Sequence, residues 1–107
     1  MIKSLAELGE ELSKIANTRY SHFKNKPDGD HITFIDTGTD PFYVDNKQVL
    51  KNTSVEISVY TKDKNEQLEL ALQELLESHD IPYDQDDTTY LQDEDLYVTD
   101  FNIELYN

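Results

Sequence analysis

Val55, Ile57 and Val59 alternate with Glu56, Ser58 and Tyr60, the two-residue period of a strand with one face buried and the other wetted. Directly after it, Thr61-Lys-Asp63-Lys breaks the alternation, and Leu68, Ala71, Leu72, Leu75 and Leu76 recur at the spacing of one apolar helix face. Asp63 is placed to cap that helix, with Glu66 three residues on as its capping-box partner. The odd-numbered face of the strand and the leucine stripe can bury each other. They form the nucleus of a sheet with helices packed on it.

The remaining pattern is read around that nucleus. Ile2, Leu5, Leu8, Leu12 and Ile15 recur in steps of three and four and predict a first helix from Ser4 to Ala16, with Ser4 and Glu7 as its capping pair. Gly9 weakens the middle of this helix but tolerates a close neighbour. Thr18 to Phe23 is β-prone and ends at the turn signal Lys26-Pro-Asp-Gly-Asp30; His31 to Asp36 predicts the next strand. The segment from Asp36 to Asn52, with its Gly38 and Pro41, reads as an irregular excursion that carries Phe42, Tyr43 and Val44. After the second helix come a short extended piece, Ile81-Pro-Tyr83, an arm at Thr88 to Leu91, and a last strand from Leu96 to Leu105. In that strand Tyr97, Thr99, Phe101, Ile103 and Leu105 share one parity and Leu96 and Val98 the other, so either a bulge shifts the register or both faces are covered at its start. The order α-β-β-(β)-β-α-β-β predicts one α+β domain over residues 1–107, a mainly antiparallel sheet with both helices on one face.

Charge changes the picture more than length does. The formal net charge is -14, and its distribution is uneven: all nine Lys and Arg lie in residues 1–64 beside ten acids, while residues 65–107 hold thirteen Asp and Glu and no Lys or Arg. Binding to phosphate backbones or to anionic lipid needs clustered basic groups, so specific nucleic-acid recognition and membrane attachment are disfavoured. An acidic surface also serves solubility, a reading that needs no partner. There is no cysteine, hence no disulfide, thiolate metal site or thiol nucleophile. No apolar run approaches membrane-spanning length and Met1-Ile-Lys-Ser lacks a signal-peptide core, so the chain is expected to stay where it is made.

Candidate chemistry is sparse. His22, His31 and His79 stand far apart, although His22 and His31 can meet across a hairpin. Asp84-Gln-Asp86-Asp87 resembles the start of a calcium loop, but Thr89 stands where the loop needs glycine; Asp93-Glu-Asp95 can join it only around a loosely held cation. Ser21 and Ser58 lack the glycines of a nucleophile elbow, and three glycines in all build no phosphate cradle. No cofactor, metal or catalytic residue is assigned, and enzymatic activity is not expected. Tyrosine is the unusual component: seven residues, with no tryptophan, nearly all on predicted strands or their ends. Core-edge packing explains them, and so does use at a protein interface.

Several runs together resemble the small tail-completion or tail-terminator proteins of long-tailed phages and prophages. They are Val55-Glu-Ile-Ser-Val-Tyr-Thr-Lys-Asp-Lys-Asn-Glu-Gln-Leu-Glu, the leucines from Leu72 to Leu76, Ile81-Pro-Tyr83 with its acidic turn, Asp93-Glu-Asp-Leu-Tyr97 and Phe101-Asn-Ile-Glu-Leu105. The resemblance implies a structural virion protein, usually a homohexameric ring, that caps the tail tube and joins it to the head connector. Its partners would be itself, the tail tube protein and the connector protein. Its location would be the tail or neck of the virion, and the host cytoplasm during assembly. DNA passing through such a ring gains from an acidic lumen, for which Asp84, Asp86, Asp87, Asp93, Glu94 and Asp95 are the candidates. Phe42, Tyr43 and Val44 are the candidate subunit interface, because three adjacent large apolar residues on an extended chain cannot all enter one core. The alternative from another class is an acidic DNA-mimic inhibitor whose carboxylates stand in for phosphates in the site of a nucleic-acid-binding enzyme.

Overall fold

The computed structural model describes the backbone of residues 2, 4–25, 27, 29–44, 47–63 and 65–106, and the side chains of these residues apart from 39–44, 47–51 and 106. The elements are α1 (Leu5–Ser13), β1 (Asn17–Tyr20), β2 (His31–Val44), β3 (Lys47–Thr61), α2 (Glu66–Ser78), β4 (Tyr83–Gln85), β5 (Thr89–Leu91) and β6 (Leu96–Tyr106). The strands form one sheet in the order β1-β2-β3-β6-β4, with β5 also on β6. Among the described residues only β1 and β2 run parallel; the other pairs are antiparallel. The domain is α+β, as the pattern predicts. None of the described helices is long and apolar enough to cross a membrane.

Burial follows the alternation of β3. Val55 and Ile57 lie in register with Ile103 and Phe101 of β6 on one side, and Ile57 and Val59 with Phe34 and Ile32 of β2 on the other, so the centre of one face of three adjacent strands is apolar, with Thr99 beside Val59 and Asp36 beside Val55 at its margins. Leu8 and Leu12 of α1 and Leu68, Leu72 and Leu76 of α2 complete the same buried cluster, which places both helices on this face. Gly9 of α1 lies directly over the sheet, where an added Cβ would stand 2.9 Å from Phe34 Cζ. The glycine that costs helix propensity here permits the close approach of helix to ring.

Helix ends depart from expectation by local chemistry. The Ser4 hydroxyl accepts the Glu7 N–H at 3.2 Å, but α1 stops at Ser13, and Lys14 to Ala16 make the turn into β1. The cap of α2 is Asn65, not Asp63: its Oδ1 accepts from the N–H groups of Gln67 and Leu68 at 3.1 and 3.3 Å. The Asn65 amide also donates to Asp30 Oδ2 at 2.8 Å, a bond that ties the cap to the loop before β2 and that Asp63 has no donor to make.

Two other expectations are corrected. The described residues of the expected irregular excursion from Asp36 to Asn52 are strand: β2 and β3 continue as an antiparallel pair from His31↔Tyr60 out to Val44↔Lys47, with register shifts between Asp36 and Gly38 and between Phe42 and Tyr43. The expected hairpin between the first two strands is a parallel pairing, Asn17↔His31 to Tyr20↔Phe34. The β6 ambiguity resolves in favour of two covered faces, because its register against β3 runs unbroken from Tyr97 to Tyr106. Leu96 is buried on one side of the sheet while Thr99 and Phe101 are buried on the other.

Glu69, on the inner side of α2, is a buried carboxylate. Its Oε1 accepts from Thr99 Oγ1 at 2.9 Å, and Thr99 Oγ1 lies 2.7 Å from Thr88 Oγ1, so helix, β6 and the β4–β5 link are joined through three side chains. Thr99→Val keeps the volume and removes the donor. It is expected to lower stability by about 1–3 kcal/mol, measured by urea denaturation, since it strips a buried acceptor of its partner.

Candidate assembly surfaces

The strand pair β2–β3 outruns the rest of the sheet. β1 covers β2 only from His31 to Phe34, and β6 accompanies β3 only as far as Asn52. Residues 41–44 and 47–51 therefore pair with each other alone and form a two-stranded ribbon extending roughly 15 Å past the end of β6. The domain measures 52 × 26 × 24 Å, and its radius of gyration is 14.9 Å. That is longer than the ~13 Å of a compact chain of this length. An isolated two-stranded ribbon is marginal in water, and both of its edges expose unpaired peptide groups, which is the structure of a segment that gains order from a partner. At its base Asn52 Oδ1 is buried without a hydrogen-bond donor among the described residues. Phe42, Tyr43 and Val44 lie on the strand backbone of this ribbon, and their side chains fall outside the described set.

The six candidate lumen acids do not form one group. Asp84 pairs with Asn102 on β4, and Asp86 and Asp87 follow in the link to β5; Asp93, Glu94 and Asp95 make the turn from β5 into β6. Asp84 and Asp86 stand beside Asn102 and Asp100 at the middle of β6 and the second set at its start, roughly 15–25 Å apart. All six are exposed. The tighter acidic contact was not among them. Glu56 of β3 lies on the same open face as Asp100 of β6, and burial, followed by the charges of Asp100 and Asp86, raises its carboxyl above the usual carboxylate range. Ser58 Oγ donates to Asp100 Oδ1 at 2.7 Å, and Asn102 donates to Asp86 Oδ2 at 3.2 Å, which spreads part of that charge. Sequence alone places the acids, but only the register places Glu56 and Asp100 on neighbouring strands.

A raised carboxyl means that the folded state holds its proton more tightly than the unfolded chain does. The contribution of Glu56 to stability therefore falls as pH rises from the ordinary carboxylate value through its own. Glu56→Gln removes the repulsion and is expected to raise the thermal midpoint at pH 7, more at low than at high ionic strength, and to remove the part of the decline in stability that Glu56 causes as pH rises through the carboxylate range, read in a pH series of thermal melts.

The open face also carries a groove of about 440 Å³ whose walls include Phe23, His31, Tyr60, Leu91 and Leu96. The His31 ring stacks on Tyr60 with centroids 4.7 Å apart and 10° between planes, and Phe23 meets it edge-on at 5.2 Å. His31 Nδ1 lies 3.0 Å from the Gly29 carbonyl, which can only accept, so Nδ1 carries the proton. His22 also lines this groove, from the loop that follows β1 rather than across a hairpin. His79 caps the far end of α2. Among the described residues no group of three or more His, Cys, Asp and Glu is placed to hold a metal ion.

Comparison of the chain with protein-family models and with curated proteins finds no match.

Proposed function

We propose that this chain is a structural subunit of a phage or prophage tail: a tail terminator that closes into a homo-oligomeric ring, ends growth of the tail tube and docks the head connector. The observation that carries the reading is the ribbon of residues 41–44 and 47–51, a strand pair with both edges unpaired that leaves the body of the sheet. A monomer has little use for such an arm, whereas a ring subunit buries it against a neighbour or against the tube. The sequence resemblance supports the same reading, and the exposed acidic turns before and after β5 fit a channel that DNA traverses without adhering. The DNA-mimic alternative draws on those same acids, but the split of the exposed groups into two sets is poorly suited to a continuous phosphate-like row.

Proteomic analysis of purified particles, with and without the gene for this chain, tests the proposal. The chain is expected in intact particles at a few copies per tail, and its loss is expected to yield tube proteins and filled heads that fail to join. Particles that assemble and join normally without it would overturn the reading.

A further inference from the structure

We infer that copies of this chain join edge to edge, β1 of one copy pairing antiparallel with β4 of the next, with Arg19 facing Asp84 across the joint. The inference rests on the ring reading and supplies its contact.

The two outer edges of the sheet differ in charge. The β1 edge presents exposed Arg19, followed by exposed Lys24, and neither takes part in an ion pair among the described residues. The β4 edge presents exposed Asp84, Asp86 and Asp87, and no Lys or Arg follows Lys64 in the chain. Like edges repel: a two-fold contact of β1 with β1 brings Arg19 toward Arg19, and one of β4 with β4 brings Asp84 toward Asp84. Only the head-to-tail contact pairs opposite charges, and repetition of a head-to-tail contact is what generates a ring when the rotation closes.

Strand direction and backbone parity fit the same contact. β1 runs parallel to β2, and direction then alternates through β3 and β6 to β4, so β1 and β4 are antiparallel and side-by-side repetition of the sheet sets them as an antiparallel pair. The Ser21 N–H donates to the Phe34 carbonyl at 2.8 Å, which turns the peptide groups of Arg19 and Ser21 inward and those of Thr18 and Tyr20 outward. The Asp86 N–H donates to the Asp100 carbonyl at 2.9 Å, which turns Asp84 and Asp86 inward and Tyr83 and Gln85 outward. An antiparallel ladder joins outward residues to outward residues. The register that uses both strands in full sets Thr18 opposite Gln85 and Tyr20 opposite Tyr83. A shift of two residues one way runs β4 past Ser21, whose φ of 67° ends the strand; the other way it leaves Tyr20 beyond the end of β4.

In this register Arg19 falls opposite Asp84 at the non-hydrogen-bonded position, where side chains approach most closely. Both lie on the open face, Arg19 in register with Thr33 and Asp84 with Asn102. On the helix face Tyr20 meets Tyr83. Each already packs on a core ring, Tyr20 on Phe34 at 5.4 Å and Tyr83 on Phe101 at 5.8 Å, and Tyr20, whose hydroxyl donates to Asp36 Oδ1, is still 47% exposed. The Tyr20 carbonyl accepts the His22 N–H at 2.8 Å and keeps a second lone pair for the ladder.

The test is sedimentation velocity on the full chain as wild type, Arg19→Glu, Asp84→Arg and the double variant, each checked for folding by circular dichroism. Both single variants are expected to raise the concentration for half-assembly about tenfold or more, and the double variant to return most of that loss, because like charges face each other in the first two and opposite charges in the third. A wild type that assembles together with single variants that assemble as well as it does would overturn the edge contact and leave the ring reading standing. Single variants that dissociate with no recovery in the double variant would overturn the Arg19–Asp84 pairing. A wild type that is monomeric throughout would remove the ring reading itself, and this contact with it.

Discussion

Phe42→Ser combined with Tyr43→Ser is expected to leave the monomer folded and to abolish the homo-oligomer. Both residues sit on the ribbon, where β2 has neither β1 nor β6 beside it and pairs with β3 alone. The described members of the buried cluster under the helices all lie outside the ribbon. Truncation should therefore cost little in the isolated chain, where surface changes away from the core usually stay within ~0.5 kcal/mol. In the assembly a buried aromatic anchor is worth about 2 kcal/mol or more, so each truncation should weaken association by roughly thirtyfold. Circular dichroism and light scattering on the same samples separate the outcomes. A variant that unfolds in step with its loss of assembly would show that the rings belong to the core.

Phe101→Ala is expected to have the largest effect on the fold, a loss of about 3–5 kcal/mol in urea denaturation. The ring is fully buried on β6, in register with Ile57, and Tyr83 of the edge strand packs against it at a centroid distance of 5.8 Å. The cavity would open beneath both the central strands and β4. A domain of this size holds only about 5–15 kcal/mol in total, so the variant should lie near the limit of folding and lose the β4 edge first. A loss below about 1 kcal/mol would mean that the core closes over the gap and that Phe101 does not organise this end of the sheet.

Burial was the legible part of this chain. Val55–Val59 and Leu68–Leu76 announce themselves because one face of each is packed and the other wet, and that constraint writes periods of two and 3.6 into the sequence. Where the constraint lapses, so does the signal. The outer lengths of β2 and β3 lie beyond both helices, so no alternation is imposed on Thr37-Gly38-Thr39-Asp40-Pro41, and turn-prone residues there read as a loop. The partner of the four-residue β1 is not encoded in its own pattern; its parallel pairing follows from where α1 delivers the chain. The Asn65 cap depends on Asp30, thirty-five residues away. Among the candidate site residues, the acids of the C-terminal half are visible by composition, but their division between the turns before and after β5, and the approach of Glu56 to Asp100, exist only in the register. The same holds for Arg19, a single charge among nine basic residues until β1 is seen to form the edge opposite β4.

The central claim is that this chain is a ring subunit, and native mass spectrometry of the full chain over a range of concentrations tests it most directly. The account predicts one closed homo-oligomer of fixed copy number, six by the resemblance, which persists on dilution and gives way to monomer on charge reversal at Arg19 or Asp84. A chain that remains monomeric at the highest concentration would contradict it.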